Sequence, residues 1–211
     1  TLSITQPEEL NLNELLFSAT LTDNETTKTT IYNKVAELHN DFRGYNNIAC
    51  IHLKKGKLDE AEKFLKKAET QIAIKANDIL TNKGIIHARK GELKIAQKLF
   101  DQAKTSEKNQ ALLDIRQGEY AKAARFFKNS KSHNAALAQL MNGKNSTSCN
   151  ESTAACYYLN AIAEARSGNS EAAITNLTKA LNEDGSYKKD ASEDLEFFNL
   201  RTVESFIALT E

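Results

Sequence analysis

The side chains able to do chemistry are few, and their spacing works against most of it. His52 and His87 stand 35 residues apart. A metal shared with either would need Cys, Asp or Glu at helical ligand spacing, and none is there. Cys50, two residues from His52, falls on a different face of a helix, so both histidines read as packing residues between helices; His39 and His133 have no partner either. The remaining cysteines are Cys149 and Cys156, and no CxxC occurs, which excludes zinc-ribbon and thioredoxin chemistry. The pair flanks a loop-to-helix junction and can close a short disulfide in an oxidising compartment, the alternative being two ordinary thiols. Cys50 has no base nearby to make it a nucleophile. No GxxxxGK[ST], GxSxG or HExxH is present, so phosphate cradling, serine hydrolysis and zincin chemistry lack an anchor. No catalytic residue, metal site or cofactor is expected. Glycosylation sequons begin at Asn24, Asn145, Asn150 and Asn176, two of them in the polar stretch 142–152.

What must position any site is a repeat. Gly56-Lys57-Leu58-Asp59-Glu60-Ala61-Glu62 is echoed by Gly91-Glu92-Leu93-Lys94-Ile95-Ala96-Gln97. Each is flanked by apolar-periodic runs, so the unit is helix, Gly turn, helix, and a fixed period of this length marks a helical-repeat array. Further turns are expected at Gly118, at Gly168 and, in degenerate form, at Gly143, where the second helix shrinks into the polar segment around Ser146. The first pair is expected as a helix to about Leu21, opened by Pro7 and the acids after it, and a second from about Thr27 to Asn40. Helices over about Lys188–Phe198 and Arg201–Leu209 close the chain, with Leu195, Phe198, Val203, Phe206 and Leu209 covering the last repeat.

These residues resemble a tetratricopeptide repeat. Tyr45, Ile48, Ala49, His52, Gly56, Leu58, Ala61, Leu65 and Ala68 fall on its packing places, as do Leu80, Gly84, His87, Gly91, Leu93, Ala96, Phe100 and Ala103; the usual closing proline is missing. The resemblance implies an all-α, right-handed superhelical solenoid of antiparallel pairs, 10–12 helices over residues 1–211. It would comprise an N-terminal pair at 1–41, repeats at 43–181 that are degenerate around 107–152, and capping helices at 186–211. It also implies a concave face lined by Arg43, Asn46, Asn47, Cys50, Leu53 and Lys54, by Asp78, Thr81, Asn82, Ile85, Ala88 and Arg89, and by Tyr158, Ile162, Ala165 and Arg166. Asn46 and Thr81 take the place of the lysine with which some members clamp a peptide's terminal carboxylate, which disfavours that mode. The lining suits an extended or helical segment of a protein partner.

Composition fits. A chain of 211 residues, 40% hydrophobic with eight Gly and one Pro, supports a helical core but has too few turns for an all-β fold. No apolar run is long enough to span a membrane. The opening residues lack signal-peptide character and an initiator Met, so Thr1 reads as a boundary within a longer protein. The zero net charge is uneven: residues 50–145 carry 20 Lys and Arg against 10 Asp and Glu, and both ends are acidic. A graded surface can steer a partner of opposite sign, although the lysines also read as solvated outer faces of helices. No aromatics interleave with them, which argues against nucleic acid. The runs Glu14–Thr20, Ile31-Tyr32, Arg43–Ala49, Tyr157–Leu159 and Asp194–Phe198 further resemble the repeat block of certain Gram-negative envelope proteins that also carry an OmpA-like domain. That resemblance implies a periplasmic or outer-membrane-associated module. The expected function is non-catalytic protein–protein interaction through the groove. The alternatives are a structural spacer in an envelope-anchored protein and, remotely, an enzyme with an acid/base pair that spacing does not reveal.

Overall fold

The glycine-centred turns set the architecture. At Gly56 and Gly91 the backbone is left-handed (φ 72° and 83°), and a Cβ would meet nothing within 4 Å. Conformation, not space, therefore selects glycine here. Each glycine N–H bonds the carbonyl three residues back, and the next residue's N–H bonds the carbonyl five back from itself: Gly56 to Leu53 and Lys57 to His52, Gly91 to Ala88 and Glu92 to His87. This Schellman pair satisfies the last carbonyls of one helix while aiming the chain into the next. The same pair of bonds recurs at Gly118, Gly143 and Gly168.

The computed structural model describes residues 1–211 except Lys75, Ser106 and Ser148. Among the described residues it is all-helical, with 14 α-helices and two short 3-10 helices. They divide into two compact units, Thr1–Leu113 and Asp114–Glu211. Unit 1 holds α1 (Leu2–Thr5), a 3-10 turn at Pro7–Glu9, α2 (Leu12–Thr20), α3 (Glu25–His39), α4 (Phe42–Lys54), α5 (Leu58–Thr70), α6 (Asn77–Arg89) and α7 (Leu93–Ala103). The helix α8 (Glu107–Gln117) carries the division between the units. Unit 2 continues with α9 (Tyr120–Phe126), α10 (His133–Met141), α11 (Ala154–Arg166), α12 (Ser170–Glu183), α13 (Tyr187–Glu193), a 3-10 helix at Leu195–Leu200 and α14 (Glu204–Thr210).

Two expected boundaries change, each for a local reason. The first long helix does not start at Pro7. Asn11 caps it, accepting from the N–H groups of Asn13 and Glu14 at 2.9 and 3.1 Å, while Glu14 accepts from the Asn11 N–H at 2.8 Å. This reciprocal box leaves Pro7 in a separate short turn. The second change is at the C-terminus. Asp194 is extended (ψ 125°), accepts from the Glu196 N–H at 3.0 Å and so ends α13 and starts a 3-10 helix. Three residues per turn put Phe197 and Leu200 inward, 0% and 2% exposed. Leu195 and Phe198, expected to cover the last repeat, are 79% and 64% exposed.

Packing within unit 1 follows the repeat. In α4/α5, Ala49, Ala61, Leu65 and Ala68 are wholly buried, and in α6/α7 Ala96 and Phe100 hold the matching places. Small residues sit where helices cross. A Cβ on Gly44 would lie 2.7 Å from the Ala36 nitrogen of α3, and one on Gly84 would enter the Phe100 ring.

Unit 2 lacks one second helix. Nothing helical lies between Met141 and Ala154 among the described residues, and the segment is instead pinned. Cys149 and Cys156 form a disulfide with Cα atoms 5.7 Å apart. The Thr147 hydroxyl caps the Cys149 N–H at 3.1 Å, and Asn160 donates to the Cys149 carbonyl at 3.0 Å. The bond closes a loop with a sequence separation of 7, for which chain entropy gives about 2–3 kcal/mol. Replacing both cysteines by Ala should lower the stability of unit 2 by about that amount, read as a shifted denaturant midpoint. No shift would mean that the threonine and asparagine bonds alone fix the segment.

Candidate partner-binding face

The first helices of successive pairs touch through polar side chains, and these include several of the residues expected on the groove. In unit 1, Asn82 of α6 donates to the Asn46 Oδ1 at 2.9 Å and to the Cys50 Sγ at 3.3 Å, both on α4. Asn46 is only 6% exposed, and burial without this bond would leave its amide unpaired. Burial pushes the Cys50 thiol up, with the Asn82 hydrogen bond opposing it, so a reactive thiolate is not set up there. The Thr81 hydroxyl donates to the Thr105 Oγ1 at 3.4 Å, and Asn109 Nδ2 donates to the same oxygen at 2.9 Å.

Arg89 of α6 places Nη1 2.5 Å from the carbonyl oxygen of Leu53, the carbonyl three residues before the Gly56 turn. The Leu53 carbonyl already accepts from the Gly56 N–H, so the arginine takes its second lone pair and also meets the negative end of the helix dipole. Arg166 of α11 repeats the contact in unit 2, with Nη1 2.8 Å from the carbonyl of Leu140, again three residues before a turn glycine, Gly143. Its other edge forks onto Glu196, with Nε to Oε2 at 2.7 Å and Nη2 to Oε1. That hydrogen bonding raises the Arg166 pKa and holds the Glu196 carboxyl below the usual carboxylate range. The Tyr158 hydroxyl donates to Asp194 Oδ2 at 3.0 Å. Tyr158 and Arg166, expected to meet a partner, are thus both engaged by the chain's own 3-10 segment.

Arg43 is also engaged. Its Nε and Nη2 fork onto Asp41 at 2.8 and 3.0 Å, while Asp41 caps α4 through the Arg43 N–H. The Arg43 hydrogen bond holds the Asp41 carboxyl below its ordinary range. Lys54 is exposed, and Asn47 and Ile85 are half-buried. No hydrogen bond engages the Asn47 side chain among the described residues.

His52 and His87 each have a neighbour in the fold. His52 stacks on Phe64 at 5.3 Å between ring centroids, and His87 Nδ1 contacts Glu92 across the Gly91 turn. The group with metal-ligand reach among the described residues is Cys149, Glu151 and Cys156, and its two sulfurs are bonded to each other. Several lysines of the basic middle are paired within unit 1. Lys90 bridges Asp59 and Glu62 at 3.0 Å each, and Lys66 reaches Glu62 at 3.1 Å. Together they push the Glu62 carboxyl down to about 2. No described helix is long and apolar enough to cross a membrane.

The residues that sequence reasoning missed are the acceptors: the Leu53 and Leu140 carbonyls, and Asp194 and Glu196. An arginine two places before a turn glycine, at Arg89 and Arg166, marks the two carbonyl contacts; no spacing marks Asp194 and Glu196.

Comparison with known families places a tetratricopeptide repeat at residues 42–70, the span of α4 and α5. Comparison with curated proteins returns no match. Such repeats generally mediate protein–protein interaction and are typically non-catalytic. The chain is an all-α helical-repeat protein with a tetratricopeptide repeat at its first glycine turn.

Proposed function

We propose that this protein is a non-catalytic interaction module, and that unit 1 holds an extended segment of a partner protein along α4, α6 and the start of α8 through side-chain amides. The observation that carries the reading is a register. Asn47, Asn82 and Asn109 each stand nine residues before a turn glycine, Gly56, Gly91 and Gly118. A side-chain amide offers a donor and an acceptor that match a peptide group, whatever the partner's sequence. Asn82 is oriented by its bonds to Asn46 and Cys50 and Asn109 by its bond to Thr105, which lowers the entropy cost of using them. Their Oδ1 atoms and both ends of the Asn47 amide remain for a ligand.

The test is affinity capture on the full chain, followed by titration of the recovered partner. One hydrogen bond contributes about 1 kcal/mol. Asn47→Ala, which breaks no hydrogen bond among the described residues, should therefore weaken binding about fivefold, and Asn47→Ala/Asn82→Ala by tens of fold, with the helical circular dichroism spectrum intact. A partner held equally well by both variants would move the site off this face.

The disulfide favours a second reading. Such bonds persist in oxidising compartments, which fits an envelope module that spaces neighbouring domains. A chain that captures no specific partner would support it.

A further inference from the structure

Arg89 and Arg166 are the same device in two states of occupancy. Each stands two residues before its turn glycine and anchors Nη1 on the carbonyl three residues before the preceding turn glycine. The correspondence extends outward. Thr81 and Tyr158, both ten residues before the glycine, donate their hydroxyl hydrogens to Thr105 and Asp194 respectively. Two residues past Asp194, Glu196 fills the Nε–Nη2 edge of Arg166. Two residues past Thr105 stands Glu107, exposed and forming no ion pair among the described residues, and Arg89 likewise has no carboxylate partner. Anchoring one nitrogen fixes the guanidinium plane, so the remaining edge is a preorganised fork for a carboxylate. In unit 2 the segment seated on that fork has the chemistry Asp-Leu-Glu-Phe-Phe, an acid followed by an inward-turned aromatic.

We propose that Arg89 is a carboxylate-receiving site, taking a glutamate or aspartate side chain of the partner segment that unit 1 holds, as Arg166 takes Glu196 from the chain's own tail. The inference rests on the reading of unit 1 as a segment-binding face and adds the partner's chemistry: an acidic residue beside an apolar one.

The probe is a fluorescent peptide copying residues 192–202, with blocked ends, titrated into the full chain and read by anisotropy. Arg89→Gln should weaken binding about five- to tenfold, the range for a bidentate but partly solvated pair. Gln in place of Glu196 within the peptide should do the same, and the two changes together should cost little more than either. Arg89→Lys should recover only part, because an ammonium lacks the flat two-donor edge that pairs a carboxylate bidentately. Equal binding by parent and Arg89→Gln overturns the proposal, and so does a loss confined to Arg166→Gln, which would mean that the peptide merely exchanges with the tail. Asn47→Ala/Asn82→Ala separates the layers. Loss there with Arg89→Gln silent removes this inference and keeps the amide reading, and the reverse pattern keeps Arg89 and removes the amides.

Discussion

Phe100→Ala should destabilise unit 1 by about 3–5 kcal/mol, the range for emptying a buried aromatic site. Phe100 is 3% exposed, and its ring lies directly over Gly84, so truncation leaves a void between α6 and α7 that backbone on both sides prevents from closing. At roughly 4 °C or more per kcal/mol for a unit of this size, the melting temperature should fall by about 12 °C or more. The coupling is the sharper test. Alanine is a better helix former than glycine by about 1 kcal/mol, so Gly84→Ala would stabilise α6 if nothing were in the way. The Phe100 ring is in the way and cannot withdraw from a closed core, so overpacking at about 1–3 kcal/mol wins and the single change destabilises. Placed on Phe100→Leu, the same Gly84→Ala should lose its penalty or turn stabilising. Additive effects in that double-mutant cycle would mean that the two residues do not share one space.

That pairing was legible in the sequence because its cause is local and periodic. A small residue at one place in the first helix (Ala49, Gly84) and a larger one at one place in the second (Leu65, Phe100) recur with the turn, and a left-handed turn accepts few residues besides glycine. The same reasoning could not see where long side chains end up. Arg43, Arg89 and Arg166 share a charge and a helical face, yet the first closes onto Asp41 two residues away, the second onto a carbonyl 36 residues away, and the third onto Glu196 30 residues away. Helical periodicity gives the direction in which a side chain leaves the backbone; it says nothing of which acceptor a flexible guanidinium reaches. The C-terminal register failed for a different reason. A 3.6-residue period read through Asp194 pairs Leu195 with Phe198, whereas the aspartate cap resets the chain to three residues per turn and turns Phe197 inward. The disulfide was legible as an option, since two cysteines bordering a polar segment can always be drawn together, but its neighbours Thr147 and Asn160, which hold the loop in place, carry no signal in spacing.

Phe197→Ala should be the costliest single change in unit 2, at about 3–5 kcal/mol, while Phe198→Ala next to it should stay within about 0.5 kcal/mol. Phe197 is wholly buried, edge-on to Tyr158 at 5.6 Å and 5.9 Å from Phe206, whereas Phe198 is 64% exposed, with the Arg201 guanidinium 5.9 Å from its ring. A helix continuing from α13 through Phe198 would reverse that order, so the pair of variants decides which register the tail adopts. The tail's grip on α11 has its own spectroscopic reporter. Burial, and after it the hydrogen bond to Asp194, hold the Tyr158 phenol well above the usual tyrosine range. Because the folded state keeps this phenol protonated, the stability it contributes is fully present below about pH 10, the ordinary tyrosine value, and is lost as the pH rises beyond it. Alkaline titration followed at the tyrosinate absorbance, compared between the parent chain and Tyr158→Phe, should therefore show no Tyr158 signal until the unit unfolds. In Phe197→Ala the tail loosens, Asp194 leaves the hydroxyl, and the Tyr158 phenol should titrate before the unit unfolds. If the Phe197→Ala chain still hides the Tyr158 phenol, the Tyr158–Asp194 bond stands without the aromatic anchor, and the polar contacts of Arg166 and Tyr158, not Phe197, hold the tail to α11.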